Sequence, residues 1–322
     1  MKGVNEEDVL VRAAWLYYVE GLTQKETGER LHLSRVKVTR LLKEAREAGV
    51  VEFRITKPTG HLRLEQRLCD VFGLADAFVV ATQETGERLR RSLGKAGATF
   101  LQDVIRPKVR IGLGMGRTLA QVPPFLELDG HKEGCIVQEM VGGAGRTDLG
   151  FDTYNVSWSL AQACGGQAGH VFAPVVTDTA EMRETLVNDP QIAGALEEAA
   201  TSDVAMIGIG DVGEDMLLLQ LGDCSADEIE TLRGRGAVGD IIGHFFDLEG
   251  RPVPCAVDDR LVALSMEELR GVPTTVAVAG GLEKTEAILG ALRTGCLDVL
   301  ITDSATASAV IDRAGAARGA EA

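Results

Sequence analysis

From Leu62 onward the chain repeats one pattern: a short apolar run, a glycine-bearing turn, then a stretch with helical spacing. Six such runs read as buried strands: 77–82 (AFVVAT), 108–114 (KVRIGLG), 135–143 (CIVQEMVGG), 203–210 (DVAMIGIG), 274–281 (TTVAVAGG) and 297–303 (LDVLITD). Helix-like stretches separate them at 86–105, 117–127, 153–164, 179–199, 283–294 and 304–313. Strands that are apolar along their length are covered on both faces, and helical crossovers between them make the strands parallel. The pattern predicts a doubly wound, mostly parallel α/β domain. Such sheets receive ligands beyond the carboxyl ends of their strands. That rule selects four loops, Gly112 to Thr118, Gly142 to Thr147, Gly208 to Gly213 and Gly280 to Lys284.

The first sixty residues are a different body. The whole chain of 322 residues holds 33 Lys and Arg against 48 Asp and Glu, a formal charge of -15. Residues 1–60 instead carry 11 basic and 9 acidic residues. Val9, Ala13, Leu16 and Tyr17 have helical spacing, and Gly21 supplies a stop. Thr23 and Glu26 have capping-box spacing, which starts a second helix near Gln24, and Ser34 is a natural N-cap for a third over 35–48. Two short capped helices joined by a tight turn make a helix-turn-helix. From Thr23 to Arg46 seven basic residues face three glutamates, an excess that suits a phosphate backbone. Val38, Leu41, Leu42 and Ala45 form the inward stripe of the third helix, whose amino-terminal half meets base edges in such motifs. The residues expected to face double-stranded operator DNA are Gln24, Lys25, Ser34, Arg35, Lys37, Val38 and Arg40. After Gly49, VVEFRI alternates like a short strand, a wing or a linker, so the expected division is a winged-helix-like domain over 1–58 and an α/β domain over 59–322.

Several classes of function are excluded or disfavoured. The acidic balance of the large domain opposes nucleic acid and anionic membrane. No apolar stretch is long enough to span a bilayer, and six singly spaced cysteines with no leader point to a reducing cytoplasm. Neither cysteines nor histidines have metal-ligand spacing, and no cofactor motif is complete. IGLGMGRTL, 111–119, spaces its glycines as G-x-G-x-G, which fits neither the dinucleotide fingerprint nor a Walker loop. What it offers is a strand, a glycine turn and a helix-like start bearing Arg117 and Thr118, a place for a small anion. VAGGLEKTEAILG repeats the arrangement with Lys284 in the first turn, against the macrodipole preference; a bound phosphate or neighbouring Glu283 and Glu286 would account for it. Asp240, in GAVGDIIGHFFDLEG, is a carboxylate in a glycine-framed loop, able to hold hydroxyls or to serve as a turn residue.

These residues resemble the SorC family of bacterial transcriptional regulators. The likeness lies in GLTQKETGERLHLSRVKVTRLLKEAREAGVV, IGLGMGRTL, GAVGDIIGHFFDLEG, LRGVPTTVAVAGGLEKTEAILGALRTG and LITDSATA, in the family's order across nearly the whole chain. The resemblance implies a sugar-binding domain with a sugar-phosphate-isomerase-like fold, a tetramer built as a dimer of dimers, and operator binding controlled by a phosphorylated sugar or polyol. It implies effector-binding roles for Gly112, Gly114, Gly116, Arg117, Thr118, Gly142, Gly143, Gly239, Asp240, Gly281 and Lys284. Where the family often carries a hydroxyl residue followed by tryptophan, this chain has Gly114 and Met115. The competing reading is a sugar-phosphate isomerase using the same fold. Its general base would come from Asp211, Asp240, Asp258 or Asp259, since His244 in its apolar run reads as structural, and it leaves the amino-terminal domain unexplained.

Overall fold

The computed structural model describes residues 6–51, 61–83, 85–128, 134–143, 145–146 and 151–320. The chain forms two compact units, Met1–Pro58 and Thr59–Ala322.

The first unit contains α1 (Glu6–Tyr18), α2 (Gln24–Leu31) and α3 (Arg35–Glu47). The Thr23 hydroxyl accepts from the Glu26 amide at 3.3 Å and the Glu26 carboxylate accepts from the Thr23 amide at 2.8 Å. Two of the first-turn groups that helix geometry leaves unpaired are thereby satisfied. α2 stops at His32, which adopts a left-handed φ of 54°, and Ser34 Oγ caps α3 by accepting from the Lys37 amide at 3.2 Å. Ala13, Ala14 and Leu16 of α1 are buried, as are Val38, Leu41, Leu42 and Ala45 of α3. The strand expected from VVEFRI falls mostly outside the described residues.

The second unit opens with α4 (Leu62–Phe72), β1 (Asp76–Val80), α5 (Gly86–Val104), β2 (Arg110–Leu113), β3 (Ile136–Glu139), β4 (Gly145–Arg146) and β5 (Phe151–Asp152). Then come α6 (Thr153–Cys164), β6 (Gln167–Gly169), α7 (Ala180–Val187), α8 (Pro190–Ala200), β7 (Val204–Ile207), β8 (Gly210–Asp211), α9 (Leu217–Leu221) and α10 (Ala226–Gly234). The unit closes with β9 (Ala237–Ile241), β10 (His244–Asp247), α11 (Met266–Arg270), β11 (Thr275–Val278), α12 (Thr285–Arg293), β12 (Val299–Asp303) and α13 (Ser304–Ala320).

Seven strands form one sheet in the order β1-β12-β11-β7-β2-β3-β6, all parallel. Alternate residues of the central strands enter two cores: Val204 and Met206 of β7 face one, Ala205 and Ile207 the other. β11 divides likewise, Val276 and Val278 against Ala277, so the sheet is covered on both faces. From β2 the chain builds outward through β3 to β6; it then returns to β7, beside β2, and builds the other way through β11 to β12. The order reverses between β2 and β7, and ligand crevices of doubly wound sheets lie at that point.

All six expected strands are present, and β6 joins them as an edge strand too short to register in the sequence. Three stretches differ from expectation. Residues 117–127 form two 3-10 turns, Leu119–Gln121 and Pro123–Phe125, because two adjacent prolines cannot continue a helix. Residues 179–199 form two helices, with Asp189 capping the second and Pro190 at its first position. Residues 236–253 form an antiparallel hairpin, β9 with β10, that turns through Ile242 and Gly243 at φ of 45° and 88°.

Candidate ligand cleft and helix-turn-helix face

At the β2–β7 reversal lies a cleft of about 410 Å³, within the range of small-molecule sites. Its walls are Met115–Thr118 after β2, Gly208–Asp211 after β7, Gly280 with Glu283 and Lys284 after β11, Asp240 of β9, and the first turns of α5. The chain segments are distant in sequence. They meet because β11, β7 and β2 are neighbours.

Lys284 turns inward. Its ammonium donates to the Ile209 carbonyl at 2.6 Å and lies 3.9 Å from Asp211 Oδ2, while Glu286 pairs with Arg313 at 2.8 Å. Burial lowers the Lys284 pKa, and the charges of Asp211 and Asp240 oppose that shift. Asp240 is 9% exposed and accepts from the Gly243 amide at 3.0 Å. Burial raises its pKa, opposed by that hydrogen bond and by the Lys284 charge. Asp211 accepts from the Gly213 amide at 2.8 Å, which fixes its carboxylate at the wall. The three side chains together offer acceptors and a donor to a polyhydroxylated molecule. Arg117 reaches across the mouth to donate to the Asp215 carbonyl at 3.0 Å.

Of the eleven glycine-loop and polar positions the resemblance implies, Gly116, Arg117, Thr118, Asp240 and Lys284 line this cleft. Gly116 has a φ of 148°, which lets the backbone turn back at the strand end. The other six lie off the lining. A Cβ on Gly112 would stand 2.7 Å from Met140 Sδ, and one on Gly114 3.3 Å from Ile207 and Ile242 side-chain carbons. Gly142 and Gly143 pack on Pro174 and Tyr154, and Gly239 packs on Gly210 and Ala287. Gly281 donates its amide to Asp303 Oδ2 at 3.0 Å and to Thr306 Oγ1 at 2.9 Å, which ties the Lys284 loop to β12 and α13. Arg90 of α5 also lines the cleft. Sequence reasoning missed it, although its position four residues after Gly86 puts both on one helix face. His244 Nε2 donates to the Leu264 carbonyl at 2.8 Å, the structural role its apolar run implied.

In the helix-turn-helix, Arg35, Arg40 and Lys25 are exposed and Lys37 half-buried. Gln24 Oε1 accepts from Thr39 Oγ1 at 3.1 Å, linking the two helices, and Ser34 serves as the cap. Lys25 and Arg40 have acidic neighbours one turn on, Glu29 at 4.0 Å and Glu44 at 3.2 Å. Val38 is a correction to the expected DNA face: it is wholly buried between the helices, whereas Val36 is 79% exposed. Two residues of helix turn through about 200°, which puts Val36 and Val38 on opposite faces.

A regulator with an amino-terminal DNA-binding unit and a ligand-binding α/β unit is the class these two sites define. Residues 56–312 match the family model described as "Putative sugar-binding domain", and residues 7–48 match that of "Sigma-70, region 4". The transcriptional regulator LsrR of Escherichia coli (strain SMS-3-5 / SECEC) is 32% identical over 321 residues, covering 96% of each chain. LsrR of Klebsiella pneumoniae subsp. pneumoniae is 33% identical, covering 95% of this chain and 93% of that one. The crystal structure of the full-length sorbitol operon regulator SorC from Klebsiella pneumoniae superposes with a TM-score of 0.73 at 26% identity, covering 95% of this chain and all of that one. The chain belongs to the SorC family of transcriptional regulators with a sugar-binding domain. It is a regulator rather than an isomerase: its relatives along the whole length are named for transcriptional control. Among the described residues no helix is long and apolar enough to cross a membrane.

Proposed function

We propose that a phosphorylated sugar or polyol, bound in the cleft at the β2–β7 reversal, sets the affinity of this protein for operator DNA. The observation that carries the reading is the cleft's chemistry. Cations, Arg117 and Lys284, share one cavity with the carboxylates Asp211 and Asp240, so one molecule can satisfy the first with a phosphate and the second with hydroxyls. Gly116, Arg117, Thr118, Asp240 and Lys284 contact the effector. Gly112, Gly114, Gly142, Gly143, Gly239 and Gly281 let the loops that carry them approach closely. Arg35, Lys37 and Arg40, with Gln24, Lys25 and Ser34, meet backbone and bases, and Val36 supplies the apolar contact suited to a thymine methyl. The protein acts in the cytoplasm as a tetramer, a dimer of dimers, on genes of carbohydrate metabolism. Paired recognition helices then match half-sites about 34 Å apart or a multiple of it. The effector acts through unequal affinity for the DNA-competent and DNA-released states.

Thermal unfolding of the full chain with sugar and polyol phosphates, each beside its unphosphorylated parent, tests this. Stabilisation by one phosphorylated compound above its parent, lost in Lys284→Ala, and release of operator DNA or tighter binding to it by the same compound are the expected results. Equal stabilisation by the parent compounds would remove the phosphate from the reading.

A further inference from the structure

We propose that Thr39 is a positioning residue for DNA: it holds the Gln24 carboxamide so that Nε2 donates to a backbone phosphate of the operator. The proposal rests on the helix-turn-helix being the DNA-binding unit, and it adds Thr39, which the expected DNA face omits, to the residues that shape that face.

Gln24 is the first residue of α2, and Thr39 lies one turn beyond Arg35, the first residue of α3. Thr39 is exposed and shares a helix face with Arg35 and Val36, both exposed as well, while Gln24 is half-buried. The two side chains therefore meet beside the residues expected to face DNA. Gln24 Oε1 accepts from Thr39 Oγ1 at 3.1 Å, across fifteen residues of sequence. The Arg35 carbonyl accepts from the same hydroxyl at 3.0 Å, the bond to the preceding turn that threonine makes inside a helix. The hydroxyl has one proton, shared between these two acceptors, and none for a base or a phosphate.

That contact decides what Gln24 can do. A glutamine that reads adenine uses both ends of its carboxamide, Oε1 accepting from N6 while Nε2 donates to N7. Here Oε1 is turned to Thr39, which spoils the pairing. Nε2 stands at the other corner of the same planar group with two protons, and donation to a phosphate oxygen is the contact it suits. The start of α2 is the place for it, because the first helix of the motif crosses the DNA backbone and the exposed Lys25 beside Gln24 brings a positive charge. The capping box meanwhile takes the Thr23 and Glu26 amides without using the Gln24 side chain. Holding a glutamine before DNA arrives also removes rotamer freedom that binding would otherwise have to remove.

The test is binding of the full chain to a duplex that the wild type selects from random-sequence DNA, and to single-base variants of that duplex. Gln24→Glu is the decisive substitution. It keeps an acceptor for the Thr39 hydroxyl, and so the link between the helices, but puts an anion where Nε2 would donate. Affinity should fall by about 10- to 100-fold, the range of a lost charge-assisted hydrogen bond, by the same factor on every duplex and with no fall in unfolding temperature. Thr39→Val should weaken binding by about 3- to 10-fold, that of a neutral hydrogen bond, and Thr39→Ser should recover it. In a double-mutant cycle, Gln24→Ala with Thr39→Val should cost no more than Gln24→Ala alone. Wild-type affinity in Gln24→Glu would reduce the contact to a link between helices and overturn the proposal. Additive losses in the cycle, or a changed base preference in Gln24→Ala or Thr39→Val, would overturn it too. If the wild type enriches no sequence, the assignment of the DNA-reading unit itself falls, and this proposal with it.

Discussion

Asp240 is where residue chemistry and stability conflict. Burial disfavours its ionised form, and one amide hydrogen bond and the Lys284 charge only partly offset that penalty. With a folded-state pKa above the unfolded value, the native chain binds the extra proton, so this carboxyl withdraws stability as pH rises past the ordinary aspartate value near ~3.9. The loss is complete once pH exceeds the folded-state pKa. We expect Asp240→Asn to unfold at a higher temperature than the wild type near neutrality, with the gap closing as the pH is lowered toward 4. The same variant should lose affinity for every hydroxylated effector. Calorimetric unfolding from pH 4 to 7.5 checks the first statement; a gap that is constant with pH would mean that the carboxyl is ionised at no cost. Lys284 was legible in the sequence as a cation out of place at a helix start. That it pairs with Asp211 and not with Glu283 or Glu286 was not, since Asp211 is distant in the chain and only the fold brings it near.

Elements position the cleft by how closely they pack. α5 crosses the segment after β2 at Gly94, where a Cβ would stand 2.4 Å from Gln121 Cβ and 2.6 Å from its backbone. Backbone atoms cannot step aside as a side-chain tip can. Gly94→Ala therefore overpacks the junction and is expected to cost about 2–3 kcal/mol of stability. It should also displace the 3-10 turns that follow Thr118, lowering effector affinity more than a change of equal cost elsewhere. Denaturant unfolding and effector titration of this variant, beside an α8 core truncation of similar cost such as Ile192→Ala, test both parts. The expected glycine loops looked alike in the sequence, yet Gly116 lines the cleft and Gly112 sits inside β2 against Met140. Alternating glycines serve a strand that needs close packing and a turn that needs a positive φ equally well, so spacing cannot tell one from the other.

Across the whole molecule, charge is divided. The acidic α/β unit repels DNA, so operator affinity falls to the helix-turn-helix, where the Thr23–Arg46 excess resides. The slope of log affinity against log salt should fall by about 1 for each phosphate-contacting lysine or arginine removed. Arg35→Ala and Lys37→Ala, measured singly across a salt series on operator DNA, test whether these two act at phosphates. A Val36→Ala variant should change sequence preference and leave the slope alone. Loss of slope in Val36→Ala, or none in either basic variant, would displace α3 as the reading helix. Light scattering against the 34.3 kDa chain mass tests the proposed tetramer.

Local rules made much of this legible from residues alone. Six of the seven sheet strands, the Thr23 capping box and the Ser34 cap are properties of neighbours in sequence: apolar runs, spacing and hydrogen bonds within a turn. What tertiary structure decided is which loops meet. Arg117, Asp211, Asp240, Lys284 and Arg90 come from five separate segments, and they face one cavity only because the sheet reverses its order between β2 and β7. Strand order depends on packing between elements far apart in the chain. No window of sequence contains it.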